Sequence, residues 1–352
     1  MTERGTEPGA RTSPSTSVPE PRTSVPELVE GLRTTPDSTH RPVGTPTDPP
    51  AATWFGRVGT YLREMYPVAS RLLVAVILFF EIYFVLLLNY GVTEFNIGIQ
   101  EAVGTWTIFA FLLMLRVADD FKDREVDLTL FPNRPLPSGR VTVRDLRILL
   151  AIVIAVTTVL NVAVMNNVAF FVVLYAYGAA MSVWFFARAK IQPNLFLALV
   201  THNPVMMVMN IYVISFGVIK YGLEPFTWTT FLLAWTMYFP SLIWEIGRKI
   251  RSPGNETQYV TYSKLWGYKT AVFFVLAVIL VDVATNLSLV YAVSRVAMLP
   301  LLANVAWISW TIVRWSRNPE AFVIGPRIDR YTYVVEGLMV IAVVTYLTLG
   351  YY

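Results

Sequence analysis

The chain has 352 residues, is 55% hydrophobic, carries only 15% charged residues and has a net charge of +4. Soluble domains carry about 25% charge, so the composition excludes an ordinary water-soluble domain and points to the bilayer. With no cysteine and two histidines, disulfides, thiolate catalysis, Cys-ligated zinc and a His-built metal cage are excluded. No basic stripe of the kind a nucleic-acid binder needs is visible either.

Residues 1 to about 52 hold ten of the 22 prolines and repeat TSVPE at 16–20 and 23–27. Such a segment buries too little apolar surface to offset its ordering entropy. We read 1–52 as a disordered tail and 53–352 as a membrane domain. Apolar runs of about 20 residues, long enough to span a bilayer as helix, then follow one another. Nine are expected, at roughly 68–90, 97–118, 144–165, 168–187, 194–217, 227–246, 268–285, 287–313 and 331–351. The polar patch Asp282–Asn286 is the expected turn between the seventh and eighth. Of the 23 Lys and Arg from residue 53 onward, 21 fall before the first span or in alternate loops. The exceptions are Lys220 and Arg295. By the positive-inside rule, the N-terminus and the loops at 119–143, 188–193, 247–267 and 314–330 face the cytoplasm and the C-terminus lies outside.

The loop after the second span reads Arg116-Val-Ala-Asp119-Asp120-Phe-Lys122-Asp123-Arg124-Glu125-Val-Asp127. Asp119, Asp123 and Asp127 recur every four residues, so they share one face if the helix runs on past the membrane edge. Hard oxygen donors of like charge suit Mg²⁺, which binds through one or two carboxylates and completes its shell with water and phosphate. The plainer reading is a solvated acidic loop paired with Lys122 and Arg124.

The residues that follow are Asn133-Arg134-Pro-Leu-Pro-Ser-Gly139-Arg140. The Asp run with Arg134-Pro-Leu-Pro-Ser-Gly behind it resembles the first signature of the UbiA superfamily of intramembrane prenyltransferases, Asn-Asp-x-x-Asp-x-x-x-Asp and then Arg-Pro-Leu/Ile-Pro-Ser-Gly. The likeness spans about 60–351 in architecture and 116–140 in motif. It implies an all-α, polytopic membrane protein with about nine transmembrane helices in a UbiA-like helical barrel. It also implies Mg²⁺ as cofactor, an isoprenyl diphosphate as donor and a lipophilic acceptor. The residues implied for metal binding are Asp123 and Asp127, with Arg134 supporting the loop or the diphosphate; the four-residue spacing adds Asp119 to the candidate catalytic and metal-binding set.

The sequence departs from that pattern in places. Asp119 replaces the leading Asn. The region of the second Asp-rich motif reads Trp244-Glu245-Ile-Gly-Arg248-Lys249-Ile-Arg251-Ser252, with Glu245 in place of the first Asp as a fourth metal ligand. The second Asp is missing; Ser252 falls near its place and Glu256 is the nearest carboxylate. Arg248 and Lys249 are candidate diphosphate ligands, or else a helix pair with Glu245 and ordinary loop charge. Arg188 and Lys190, after the fourth span, are candidates on the same footing. Polar groups inside spans are costly and often functional. His202-Asn203-Pro204 in the fifth span is therefore expected to line an acceptor pocket, with pairing across helices as the plainer alternative, while Glu81 in the first is read as structural. Two rival readings share these residues: a terpene cyclase on the same fold, and a transporter or binding protein with a decayed site.

Overall fold

The computed structural model describes residues 50–256 and 260–349, without the side chains of Val126 and Leu130. Apart from its last three residues, the tail expected at 1–52 lies outside them. Among the described residues the chain is all-helical: α1 (Trp54–Met65), α2 (Val68–Asn89), α3 (Ile99–Lys122), α4 (Arg124–Leu130), α5 (Val143–Val164), α6 (Val168–Ser182), α7 (Arg188–Ile191), α8 (Leu195–His202), α9 (Val205–Tyr221), α10 (Trp228–Thr236), α11 (Phe239–Gly247), α12 (Tyr262–Trp266), α13 (Tyr268–Val293), α14 (Met298–Arg317) and α15 (Gly325–Leu349). Six segments are long and apolar enough to cross a membrane: α2, α3, α5, α8 with α9, α13 and α15. The shorter apolar α6, the broken pair α10–α11 and α14 fill the other three expected positions, giving a polytopic all-α fold.

Helix α2 runs through the middle, packed against α3, α9, α10, α13 and α15. Its residues Ile82–Leu88 are all buried. α3 is the most enclosed span, whereas α5 lies outside and presents Ile152, Val156, Val159 and Val162 outward. In a bilayer that face meets acyl chains, so its exposure carries no penalty. Where helices press together, small residues make room. A Cβ on Gly104 would fall 2.3 Å from the Phe79 ring, and one on Gly178 would fall 2.6 Å from both Phe111 and Met114. Buried polar side chains are tied across helices: Asn161 on α5 donates to Thr107 on α3 at 2.8 Å and accepts from Tyr212 on α9 at 2.9 Å.

Three local features depart from the expected spans. The second span does not stop at 118 but stays helical to Lys122. The Asp282–Asn286 patch is no turn, because α13 runs unbroken through it to Val293. Asn286 donates to Asp282 at 2.8 Å and Tyr331 of α15 donates to its other oxygen at 3.0 Å, so the polar groups are satisfied sideways and leave the helix intact. The break falls instead at 294–297 and takes Arg295 out of the span. The third is α1, an amphipathic helix capped by Thr53, which accepts from the Gly56 N–H at 3.2 Å. Two spans are interrupted by proline. Pro204 separates α8 from α9 and Pro240 opens α11, each where the missing N–H breaks the helical ladder.

Candidate active site

The Asp run sits where α3 gives way to α4. Asp123 has φ −96° and ψ 7° between the two helices, yet its N–H still bonds the Asp119 carbonyl at 2.9 Å, and the Asp127 N–H bonds the Asp123 carbonyl at 2.8 Å. The four-residue spacing therefore survives the bend. The carboxylates nonetheless have different surroundings. Asp127 is buried and both its oxygens accept from Arg134 Nη1, at 3.0 and 3.1 Å. The Arg134 guanidinium also stacks on Phe131 at 3.9 Å. Asp119 is 3% exposed and its Oδ1 has no hydrogen-bond partner. Burial, and then the Asp127 carboxylate, push the Asp123 carboxyl up to about 7 against the pull of Lys122.

Residues that sequence reasoning passed over complete this end of α3. Asp120 accepts from Arg116 Nη2 at 2.7 Å, one turn back, and from the Tyr61 hydroxyl of α1 at 2.5 Å. Burial keeps the Tyr61 phenol protonated far above neutral pH. The i,i+4 pairing of Arg116 with Asp120 was readable from spacing; Tyr61, 59 residues away, was not. Lys122 does not pair with the loop acids as the plainer reading expected. Its Nζ is buried without a hydrogen-bond partner, 5.0 Å from the centre of the Trp184 ring. The loop that carries Arg134 is clamped from behind. Arg140 donates to Glu64 of α1 at 2.6 and 2.9 Å and to the Asn133 carbonyl at 2.6 Å.

Trp184 belongs to a left-handed turn. Trp184, Phe185 and Phe186 have φ of 55°, 49° and 59°, a conformation that costs a non-glycine residue about 1–2 kcal/mol. The turn sets the Trp184 and Phe185 rings edge-on to His202, at 5.0 and 5.6 Å between centroids. His202 and Asn203 end α8 at the Pro204 break. His202 Nε2 and both amide atoms of Asn203 are buried without partners. Thr236 Oγ1 and Ser241 Oγ, on either side of the α10–α11 break, are in the same condition.

Glu245, near the end of α11, is clasped by its own helix. Arg248 donates Nε and Nη2 to Oε2 at 2.9 and 2.7 Å, and Lys249 Nζ lies 2.7 Å from Oε1. Glu245 of α11 and Lys122 of α3 both act electrostatically on His202, so both helix ends lie within electrostatic reach of that ring. Tyr262 of α12 also feels Glu245, and its buried hydroxyl is unpartnered. Ser252 and Glu256 do not join Glu245: Ser252 donates to Glu320 at 3.0 Å, and Glu256 accepts from Thr261 and Ser263. Arg188 and Lys190 are exposed on α7, where Arg188 bonds Gln192 at 3.0 Å. No contact among the described residues brings either to the carboxylates.

No three His, Asp or Glu side chains among the described residues converge into a ready-made metal cage. Two sources of oxygen remain. Asp119 and Asp123 are one turn apart, and the Oδ1 of Asp119 is unclaimed. That suits Mg²⁺, which needs one or two carboxylates and takes its remaining ligands from water and substrate phosphates. Asp127 and Glu245 have their oxygens filled by Arg134, Arg248 and Lys249.

With this geometry in view, the comparison with solved structures is informative. A digeranylgeranylglyceryl phosphate synthase in membranes aligns with 83% of this chain and 97% of its own, with a TM-score of 0.55 and 16% identity. The two share a fold. At that identity the likeness speaks for architecture alone. No family model matches the chain, and no curated protein matches it.

Proposed function

We propose that the protein transfers an isoprenyl group from a prenyl diphosphate to a lipophilic acceptor within the membrane, with Mg²⁺ as cofactor. The observation that carries this reading is the charge arrangement at the end of α3. Buried Asp119, with an unpartnered oxygen, and half-buried Asp123, whose carboxyl is pushed up to about 7, lie in the same region as the cations Lys122, Arg134, Arg248 and Lys249, in a fold shared with a digeranylgeranylglyceryl phosphate synthase.

Asp119 and Asp123 would hold the metal, and Mg²⁺ supplies positive charge that makes the diphosphate a better leaving group. The chain's own residues do the rest. Arg134, Arg248 and Lys249 are already neutralised by carboxylates, so a diphosphate can take them up by exchange. Lys122, one residue from Asp123, has a buried Nζ without a hydrogen-bond partner and would meet phosphate oxygen. Arg116 and Tyr61 fix Asp120 and so hold the last turn of α3 rigid. The aromatic wall of Trp184 and Phe185 excludes water, which would otherwise capture the allylic cation. The polar notch at His202 and Asn203 receives the acceptor. The two Asp/Glu-bearing ends open on the cytoplasmic side by the loop-charge rule.

Lipid extracts from cells with and without the protein, compared by mass spectrometry, test the proposal. Prenylated lipids present only with the protein support it and name both substrates. Identical extracts, or a new cyclised hydrocarbon instead, refute it.

A further inference from the structure

Three buried hydrogen-bonding atoms on two consecutive residues at the Pro204 break are without partners: His202 Nε2, Asn203 Oδ1 and Asn203 Nδ2. His202 is 2% exposed and Asn203 4%. Buried polar atoms almost always find partners, so three adjacent exceptions mark a place where something else binds. The neighbouring bonds determine what that partner must offer.

Thr201 has one hydroxyl proton. Its Oγ1 lies 2.7 Å from the Leu197 carbonyl one turn back, and that carbonyl can only accept. The proton is therefore committed to Leu197. Thr201 Oγ1 also lies 3.0 Å from His202 Nδ1, and with its proton spent it must accept there. Nδ1 then carries the ring hydrogen, and in a neutral imidazole Nε2 is left with a lone pair. The Ala198 and Met181 carbonyls also act on the ring, and Nε2 has no hydrogen-bond partner. Lys122 of α3 is the nearby cation. Glu245 of α11 is the nearby carboxylate, and its oxygens are committed to Arg248 and Lys249. Trp184 and Phe185 hold the ring edge-on.

We propose that His202 takes the proton of a hydroxyl-bearing acceptor, through Nε2, while the Asn203 amide holds that hydroxyl's neighbouring polar group. This rests on the prenyl-transfer reading and adds the acceptor's chemical class, a neutral lipid-soluble alcohol or phenol. The bonds balance. The C1–O bond of the prenyl diphosphate breaks and its electron pair leaves on the diphosphate. An oxygen lone pair of the acceptor forms the new bond to C1, and the acceptor's O–H proton passes to Nε2. The imidazolium then loses that proton to water when the ether product departs. Thr201 is a positioning residue that sets which ring nitrogen is free.

Two readouts test this on the full-length protein. The chain has two histidines, His40 and His202, so a His40→Gln protein labelled with ¹⁵N-histidine reports on His202 alone. The spectrum at neutral pH should show a protonated Nδ1 and a bare Nε2. Thr201→Val should scramble that assignment and Thr201→Ser restore it, which a merely structural threonine would not do. A protonated Nε2 in the native protein overturns the proposal.

The second readout uses labelled geranylgeranyl diphosphate and a lipid extract of the membranes that naturally contain the protein. His202→Gln should lower transfer to lipid by roughly 100-fold or more, the usual worth of a positioned base, while diphosphate release to water persists and shows that the variant is folded. Product cleavage chemistry separates an alkyl ether from an aryl ether. Transfer by His202→Gln at the wild-type rate, or a carbon–carbon linked product, overturns the proposal. A wild-type protein that never cleaves the diphosphate overturns the prenyl-transfer reading instead, and the nitrogen spectrum then still decides the lone pair on its own.

Discussion

Asp123→Asn should stabilise the metal-free protein at pH 8 while destroying its proposed activity. Asp123 lies just beyond α3, and burial together with Asp127 raises its carboxyl from an ordinary 3.8 to about 7. The folded protein thus keeps a proton on Asp123 that the unfolded chain gives up. Stability is fully present below pH about 4 and falls as pH rises through about 7. Ionising the group in the folded state costs about 4 kcal/mol if the whole difference is counted. The side chain keeps some water, and screening halves this to about 2 kcal/mol. For a membrane domain of this size that corresponds to roughly 4–8 °C. The assay is thermal melting in detergent with EDTA at pH 5 and pH 8. The variant should melt clearly above wild type at pH 8 and by less than half that margin at pH 5, where folded Asp123 is neutral and only the unfolded chain has ionised. Mg²⁺ should then stabilise wild type at pH 8 and not the variant, because the ligand must be ionised to bind. A variant that melts at or below wild type at pH 8 in EDTA would refute the reasoning, since Asp123 would then have a partner of its own.

Arg140→Ala should cost about 3 kcal/mol by leaving Glu64 half-buried and unpaired, and Glu64→Ala in the same chain should recover part of that loss in a melting cycle. Tyr61→Phe removes the 2.5 Å bond to buried Asp120; a loss of about 2 kcal/mol is expected, read as a lower melting temperature. Phe186 is 89% exposed at φ 59°, so Phe186→Gly should raise stability by about 1 kcal/mol through relief of the left-handed strain. Phe186→Val should lower it.

Much of the fold was readable because a bilayer imposes a single rule, a run of about 20 apolar residues per crossing. The misplaced turn at Asp282–Asn286 shows where that rule fails. A polar patch ends a helix only if its groups lack lateral partners, and Tyr331 was too distant in sequence to be counted. The amphipathic α1 was missed because its apolar residues are spaced for one face rather than gathered in a run. At the site, helical spacing singled out Asp119, Asp123 and Asp127, and the family resemblance pointed to Arg134 and Glu245. Neither revealed which carboxylates were already neutralised. That depends on Arg134 folding back over Asp127 and on Arg248 and Lys249 closing over Glu245. The left-handed turn at Trp184–Phe186 had no signal, because three aromatics do not ordinarily take that conformation. Arg188 was a candidate for its place after the fourth span, yet the cation whose buried Nζ lies beside the Trp184 ring is Lys122.

The central claim is that the end of α3 handles a prenyl diphosphate with the help of Mg²⁺. Diphosphate release from geranylgeranyl diphosphate by purified protein, with Mg²⁺ and with EDTA, tests it most directly. The account predicts release that requires Mg²⁺ and is abolished by Asp123→Ala. Release that is indifferent to both, or no binding of the diphosphate at all, would contradict it.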